Sequence, residues 1–226
     1  MLTNKTLLII FSLIYVVGLA FLYFSKVRMN NSENRIYKIM IITNIIGLIL
    51  QLCCDYISYR NDILPHIISD VIYRLYMIYF IIFINLMLLY LMTISSKTLK
   101  KTFIIIDTIL CIVEILIVSL SSYELYRDVS NKVYYTFGPA IDLTFIISGI
   151  ICVFMVLILI YNFKKISKKK SIPIYLLIIS GTVSALIQHS NPEILIITSM
   201  ESFICCLMYF TIENPDMKML NEMTLA

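Results

Sequence analysis

Polar sequence is what this chain has least of. Hydrophobic residues make up 60% of it and the mean hydropathy is +0.92, so no stretch is polar enough to form a soluble domain, and one membrane domain is the natural count. Glycine and proline are also scarce, five of each in 226 residues. That is too few for the paired broken helices of inverted-repeat transporters, and no internal repeat is visible. Catalytic motifs are missing as well: there is no H-E-x-x-H, no G-x-S-x-G and no paired-glutamate motif, which argues against an intramembrane enzyme and leaves no catalytic residue to assign. The last apolar span has no lysine, which excludes a retinal Schiff base. Six cysteines occur, Cys53, Cys54, Cys111, Cys152, Cys205 and Cys206, without C-x-x-C spacing or a histidine at ligand distance. They read as small apolar packing residues, so the chain is assigned no metal and no cofactor of its own.

What is present is length of apolar run. A hydrocarbon core of roughly 30 Å takes about 20 helical residues, and within it only helices or closed barrels satisfy their own backbone. Seven stretches qualify, at Leu7 to Ser25, Met40 to Ser58, Ile67 to Ile94, Thr102 to Leu120, Ile141 to Tyr161, Ile174 to Ser190 and Ile194 to Ile212. Runs such as Val153 to Tyr161 are apolar on every face, whereas barrel strands alternate. The fold class expected is therefore an all-α membrane protein, a seven-transmembrane helix bundle. The first span exceeds the apolar core of a signal peptide and no small-x-small site follows it, so it is expected to stay in the membrane.

Basic residues set the orientation. The gaps after the first, third and fifth spans hold twelve: Lys26, Arg28, Arg35, Lys38, Lys97, Lys100, Lys101, Lys164, Lys165, Lys168, Lys169 and Lys170. The amino terminus and the other gaps hold only Lys5, Arg60, Arg127 and Lys132. The amino terminus is expected outside and the carboxyl terminus in the cytoplasm. The net charge of +4 largely follows from this bias and suits anionic lipid headgroups; a nucleic-acid partner would need a basic soluble module, and none is present.

Punctuation supports the boundaries. Asn191-Pro192-Glu193 has the cap, first-turn proline and acid of a helix start, Pro173 reads as opening the sixth span, and Gly138-Pro139 closes the outer loop before the fifth. That loop, Ser121 to Pro139, is rich in tyrosine and is positioned to fold over the mouth of the bundle.

Charges inside spans are costly, about 2.5 to 3.5 kcal/mol each at mid-bilayer, and should face partners or water. Asp70 and Arg74 lie one turn apart and can pair. With Asp55, Asp142 and His189, and His66 nearby, they form a candidate outward pocket for an unknown small ligand or peptide. The plainer alternative puts Asp55, Asp142 and the histidines in the headgroup zone, where they cost little. Deeper acids are Asp107 and Glu114, seven residues apart, and Glu201. These are protonated, bonded across helices or exposed to a wet cavity, with structural interhelix bonding weighed ahead of a proton relay.

After Glu213, Asn214-Pro215-Asp216 stops one helix and caps another that runs to Ala226. Residues 1 to 212 read as the membrane domain and 213 to 226 as the start of a cytoplasmic signalling helix that is expected to continue. Gln188-His-Ser-Asn-Pro-Glu-Ile-Leu-Ile-Ile-Thr198 and Met208-Tyr-Phe-Thr-Ile-Glu-Asn-Pro-Asp-Met-Lys-Met219 resemble the end of the seven-helix amino-terminal sensor domain of bacterial membrane-bound histidine kinases, some of them hybrid. Thr136-Phe-Gly-Pro139 and Lys169-Lys-Ser-Ile-Pro173 are similar too. The resemblance covers about the last 90 residues and is one of topology before that.

The resemblance implies a receptor in a bacterial plasma membrane that relays a stimulus through its last span to a kinase core outside this sequence. That core would use ATP and Mg, dimerise and phosphorylate a response regulator in a phosphorelay. Glu114, Glu201 and the Glu213, Asn214, Pro215, Asp216 junction are the expected transmission residues. A small-solute or proton-coupled transporter is the alternative, and an assembly or immunity-type membrane protein the third reading.

Overall fold

A computed structural model of the chain describes residues 4–26, 31–60, 66–95, 101–128, 133–164, 166, 168–191 and 196–211. Seven helices account for most of them: α1 (Asn4–Phe24), α2 (Ser32–Arg60), α3 (His66–Ser95), α4 (Lys101–Leu120), α5 (Pro139–Tyr161), α6 (Lys168–Ser190) and α7 (Ile197–Thr211). Six of these, all but α7, are long and apolar enough to cross a membrane. The described part of α7 has 15 residues, about 22 Å at 1.5 Å per residue.

Side-chain bonds fix the helix directions. Tyr23 on α1 reaches the Asn34 carbonyl on α2, Ser58 on α2 meets Tyr73 on α3, and Asn85 on α3 meets Glu114 on α4. The first two join the late part of one helix to the early part of the next, and Arg74 early in α3 likewise reaches the Ser119 carbonyl late in α4, as antiparallel neighbours must. One end of the bundle therefore gathers the close of α2, α4 and α6 with the start of α3 and α5. The other gathers the start of α2 and α6, where Lys170 pairs with Glu33 at 2.7 Å. The first is called the hairpin end below, the second the lysine end.

Three boundaries differ from expectation. α2 begins at Ser32, eight positions before Met40, because Asn31 caps it through Oδ1 on the Asn34 amide at 2.8 Å and the polar first turn carries Glu33 to Lys170. α6 begins at Lys168 and contains Pro173 in its interior, so the proline does not open the helix. It falls near the start, where only the bond to the carbonyl four residues earlier is lost. α7 begins at Ile197 and not Ile194, and Pro192 and Glu193 lie outside the described residues.

The tyrosine-rich connection also contains a two-stranded antiparallel hairpin that was not expected, β1 (Glu124–Asp128) and β2 (Val133–Phe137). Tyr126 and Tyr135 face each other in its register and their rings stack at 4.8 Å. Gly138 follows with φ of 112°, a left-handed conformation natural to glycine, and a Cβ there would lie 3.3 Å from the Tyr123 Cα. This turn lets Pro139 start α5 directly beneath the hairpin.

The outer face, not the core, departs from that of a water-soluble bundle. Ile, Leu and Phe side chains cover the outside of α1, α4 and α5, while Ser12, Asn44, Gln51, Asn85, Glu201 and Ser202 are buried. α3 is the hub, with twelve buried residues; it packs on α2, α4 and α5 and reaches α7 through the side chains of Tyr76 and Tyr79. α4 is peripheral and buries only Asp107 and Val118 among its side chains. Gly47 on α2 is the closest approach: a Cβ there would fall 2.1 Å from the Tyr79 ring on α3. Gly47→Ala should therefore displace Tyr79 and destabilise the fold by about 1 to 3 kcal/mol. Thermal unfolding in detergent checks this, with Gly149→Ala, whose Cβ meets nothing within 4 Å, expected to be neutral.

Candidate functional site

Tyrosine hydroxyls from three helices converge on α7. Tyr15 of α1 donates to the Ser199 carbonyl at 3.1 Å, and Tyr37 of α2 donates to the Cys205 carbonyl at 2.7 Å. From α3, Tyr76 shares a hydrogen bond with the Thr198 hydroxyl at 3.0 Å, and Tyr79 donates to Glu201 Oε2 at 2.5 Å. Tyr76 and Tyr79 are three residues apart, and so are Thr198 and Glu201, so the two bonds step along α3 and α7 in the same direction.

Glu201 is only 6% exposed. Its carboxyl belongs to a continuous chain: Ser202 donates to Asn44 Oδ1 at 2.8 Å, Asn44 Nδ2 donates to the Tyr79 hydroxyl at 3.1 Å, and Tyr79 donates to Glu201. No Lys, Arg or His among the described residues takes part. A carboxyl buried this way is satisfied by neutral dipoles alone, an arrangement whose energy depends on every member being present.

Glu201 also lines a cavity of about 700 Å³. The cavity lies between α3, α5, α6 and α7 and runs from the hairpin end, where Asp55, Ser58, Asp142 and Gln188 lie, inward to Ile84, Val156 and Leu177. β2 roofs it with Tyr135, Thr136 and Phe137, and Ile197 and Met200 join Glu201 from α7. The loop thus does fold over one end of the bundle.

Asp70 and Arg74 do pair, with Arg74 Nε 3.0 Å from Asp70 Oδ2, but they do not line this cavity. Arg74 instead donates through Nη1 to the Ser119 carbonyl and, at 3.1 Å, to the Ser121 carbonyl, capping the end of α4. Its guanidinium also lies over the Tyr123 ring, 5.4 Å from the centroid. Burial, and then the hydrogen bond to Asp70, push the Tyr123 phenol well above its ordinary range, so it keeps its proton and donates to Asp70. This cluster holds the hairpin to α3 and α4.

Of the expected pocket residues, then, Asp55 and Asp142 are brought together around the cavity, and Asp70 and Arg74 form a separate structural cluster. His66 is exposed, and the side chain of His189 lies outside the described residues. Glu114 accepts from Asn85 at 2.7 Å on a different side of α3 from Tyr79, so it and Glu201 belong to separate networks. Glu213, Asn214, Pro215 and Asp216 lie outside the described residues. Sequence reasoning missed Asn44, Tyr79, Tyr76 and Ser202. A polar side chain inside each apolar span was the available signal, but uncharged residues carry a smaller insertion cost and drew less notice.

No family model matches this sequence, and no curated protein matches it either. The multi-helix, membrane-type bundle therefore stands on the apolar helices themselves.

Two substitutions examine the site. Tyr79→Phe leaves both Asn44 Nδ2 and Glu201 Oε2 short of a partner and should cost about 1 to 2 kcal/mol. In a double-mutant cycle with Glu201→Gln the two losses should fall short of additive, measured by denaturant or thermal unfolding. Arg74→Gln should leave the bundle folded and raise the hydrogen exchange of the hairpin backbone, read by mass spectrometry of the peptide covering residues 121 to 138.

Proposed function

We propose that this chain is the membrane input module of a two-component sensor histidine kinase, with the hairpin end outside a bacterial plasma membrane and the lysine end in the cytoplasm. The observation that carries the reading is that one residue, Glu201, belongs both to the cavity wall and to the hydrogen-bond chain that anchors α7. Whatever occupies the cavity acts on the same carboxyl that fixes the helix leading to the Glu213 to Asp216 junction. The concentration of lysines at one end supports the orientation through the usual cytoplasmic excess of basic loops. The resemblance of about the last 90 residues to kinase sensor domains supports the output.

In this reading two arrangements of α7 against α3 differ in their affinity for the occupant, and the difference is the signal. Typical couplings of this kind are about 1 to 3 kcal/mol. ATP, Mg, dimerisation and the response regulator belong to the kinase core this module would drive.

The test is a fusion of residues 1 to 226, in helical register, to a histidine-kinase core with a reporter output. Glu201→Gln should shift basal output by roughly 5-fold or more, and a flexible Gly-Ser insertion after Asp216 should erase the difference between the two proteins. Equal output from all of them would remove the proposal.

A proton-coupled transporter is favoured by one feature, a carboxyl placed well inside the bundle on a cavity wall. It requires the cavity to open in turn to both ends. Solute-driven proton flux in vesicles that is lost in Glu201→Gln would establish it in place of the sensor.

A further inference from the structure

The cavity between α3, α5, α6 and α7 is long, and most polar groups along it are already engaged within the protein. On α5 its wall runs from Ile141 to Val156, about 22 Å at 1.5 Å per helical residue, and on α6 from Leu177 to Gln188, about 16 Å. Hydroxyls that line it turn back to their own helices: Thr144 donates to the Ala140 carbonyl at 2.8 Å, Ser180 to that of Leu176 at 2.5 Å and Thr182 to that of Ile178 at 2.7 Å. Ser58 meets Tyr73, and Tyr76 meets Thr198. The carboxyls are served as well: Glu201 Oε2 accepts from Tyr79, Asp55 has an interaction partner in the protein, and Asp142 is exposed in the first turn of α5. With these groups engaged, the space is left mainly to carbon.

One acceptor is the exception. Gln188 Oε1, in the last turn of α6 at the hairpin end, lines the cavity and is buried with no hydrogen-bond partner among the described residues. An amide oxygen left in this way costs free energy until something donates to it. Deeper in, the wall is Ile84, Cys152, Val153, Val156, Leu177 and Ile178. The site therefore calls for a single hydrogen bond at one end and hydrocarbon along the rest.

Small residues open its flank. Gly149 of α5 and Gly181 of α6 both line the cavity, and a Cβ at either would meet nothing within 4 Å. α5 and α6 meet only lightly, while α5 packs more closely on α3 and α6 on α7. The seam between them is a lateral way in for a slender chain.

We infer that this cavity binds a neutral single-chain lipid: an unbranched hydrocarbon chain laid along the seam of α5 and α6, with a hydroxyl-bearing head at Gln188. A hydroxyl both donates and accepts, so it serves the Gln188 amide in either orientation. A head charged in either sense would be drawn out of water against groups that are already engaged. A bare alkane would leave the Gln188 oxygen unmet. The site stands apart from the sensor reading and rests on it only for its consequence, because the chain would lie along a wall that includes Glu201.

The experiment places the whole chain in phosphatidylcholine nanodiscs with a dodecanol that carries a mid-chain diazirine, and maps the photolabel by peptide mass spectrometry. Labelling should saturate on the cavity stretches of α5 and α6, residues 145 to 156 and 177 to 188, and should exceed that of the outer face of α4. Monolauroylglycerol at about four times its Kd should reduce the α5 and α6 labelling about fivefold and leave α4 within about twofold. Dodecyltrimethylammonium and dodecyl sulfate should each be at least about tenfold weaker as competitors. Gln188→Leu should weaken monolauroylglycerol by about fivefold and leave competition by dodecane unchanged. Gly181→Leu, which fills open space and raises helix propensity, should abolish saturable labelling with thermal unfolding as in the parent.

Labelling that rises without saturating, or that marks α4 as strongly as α5 and α6, overturns the inference; a cavity filled by phosphatidylcholine from the disc would give the first of these results. Equal competition by neutral and charged heads overturns it too. So does saturable labelling of α5 and α6 in a folded Gly181→Leu protein, a result that is decisive even if Gln188→Leu does not fold. Saturable, head-selective labelling together with an unresponsive kinase fusion would uphold the site and count against the sensor reading. A fusion that responds to Glu201→Gln while labelling fails to saturate would do the reverse.

Discussion

One hydroxyl organises the centre of this protein. The Tyr79 oxygen accepts from Asn44 on α2 and donates to Glu201 on α7, so three helices meet at a single atom. The ring packs against α2 at Gly47, where a Cβ would fall 2.1 Å from it. A buried carboxyl, a bare patch of backbone and a tyrosine are thus a single constraint. Removing any one leaves the others either clashing or short of a partner inside the bundle.

That constraint matters more here than in a water-soluble bundle. With an outer face as apolar as the core, burial of apolar side chains does not discriminate inside from outside, and Ile, Leu and Phe are found on both faces of most helices. Specificity must come from polar contacts and close packing. The described structure follows this pattern: Tyr23 to Asn34, Ser58 to Tyr73, Asn85 to Glu114, Tyr76 to Thr198 and Lys170 to Glu33 each join a different pair of helices. The apolar residues supply volume, and these few bonds determine which neighbour is which.

Length and hydropathy were enough to find the seven helices, six of them long and apolar enough to cross a membrane, because a long apolar run is a signal that little else in a sequence imitates. Their ends were less legible. α2 gains its extra turns from the Asn31 cap and the Glu33 to Lys170 pair, an interaction across 137 positions that no local pattern announces. Pro173 looked like a helix start, yet α6 tolerates it five residues in. The hairpin was hidden because its strands are short and its tyrosines suggested an interface in general, not a pairing of Tyr126 with Tyr135. Asp70 with Arg74 was readable as a pair from spacing alone, while its work on the Ser119 and Ser121 carbonyls and on Tyr123 depends on tertiary approach. Glu201 stood out as a charge without a basic partner. That its satisfaction comes from a tyrosine and an asparagine on two other helices is information that exists only in the fold.

The four tyrosines around α7 are not equivalent in what they grip. Tyr15 and Tyr37 hold main-chain oxygens, and a helix presents a similar oxygen again one turn further along, about 5.4 Å away. Tyr76 and Tyr79 hold the side chains of Thr198 and Glu201, which recur nowhere else on that face. On the side of α1 and α2 the helix therefore rests on a rail that is indifferent to where along its length it is grasped, whereas α3 supplies the latch that sets its position.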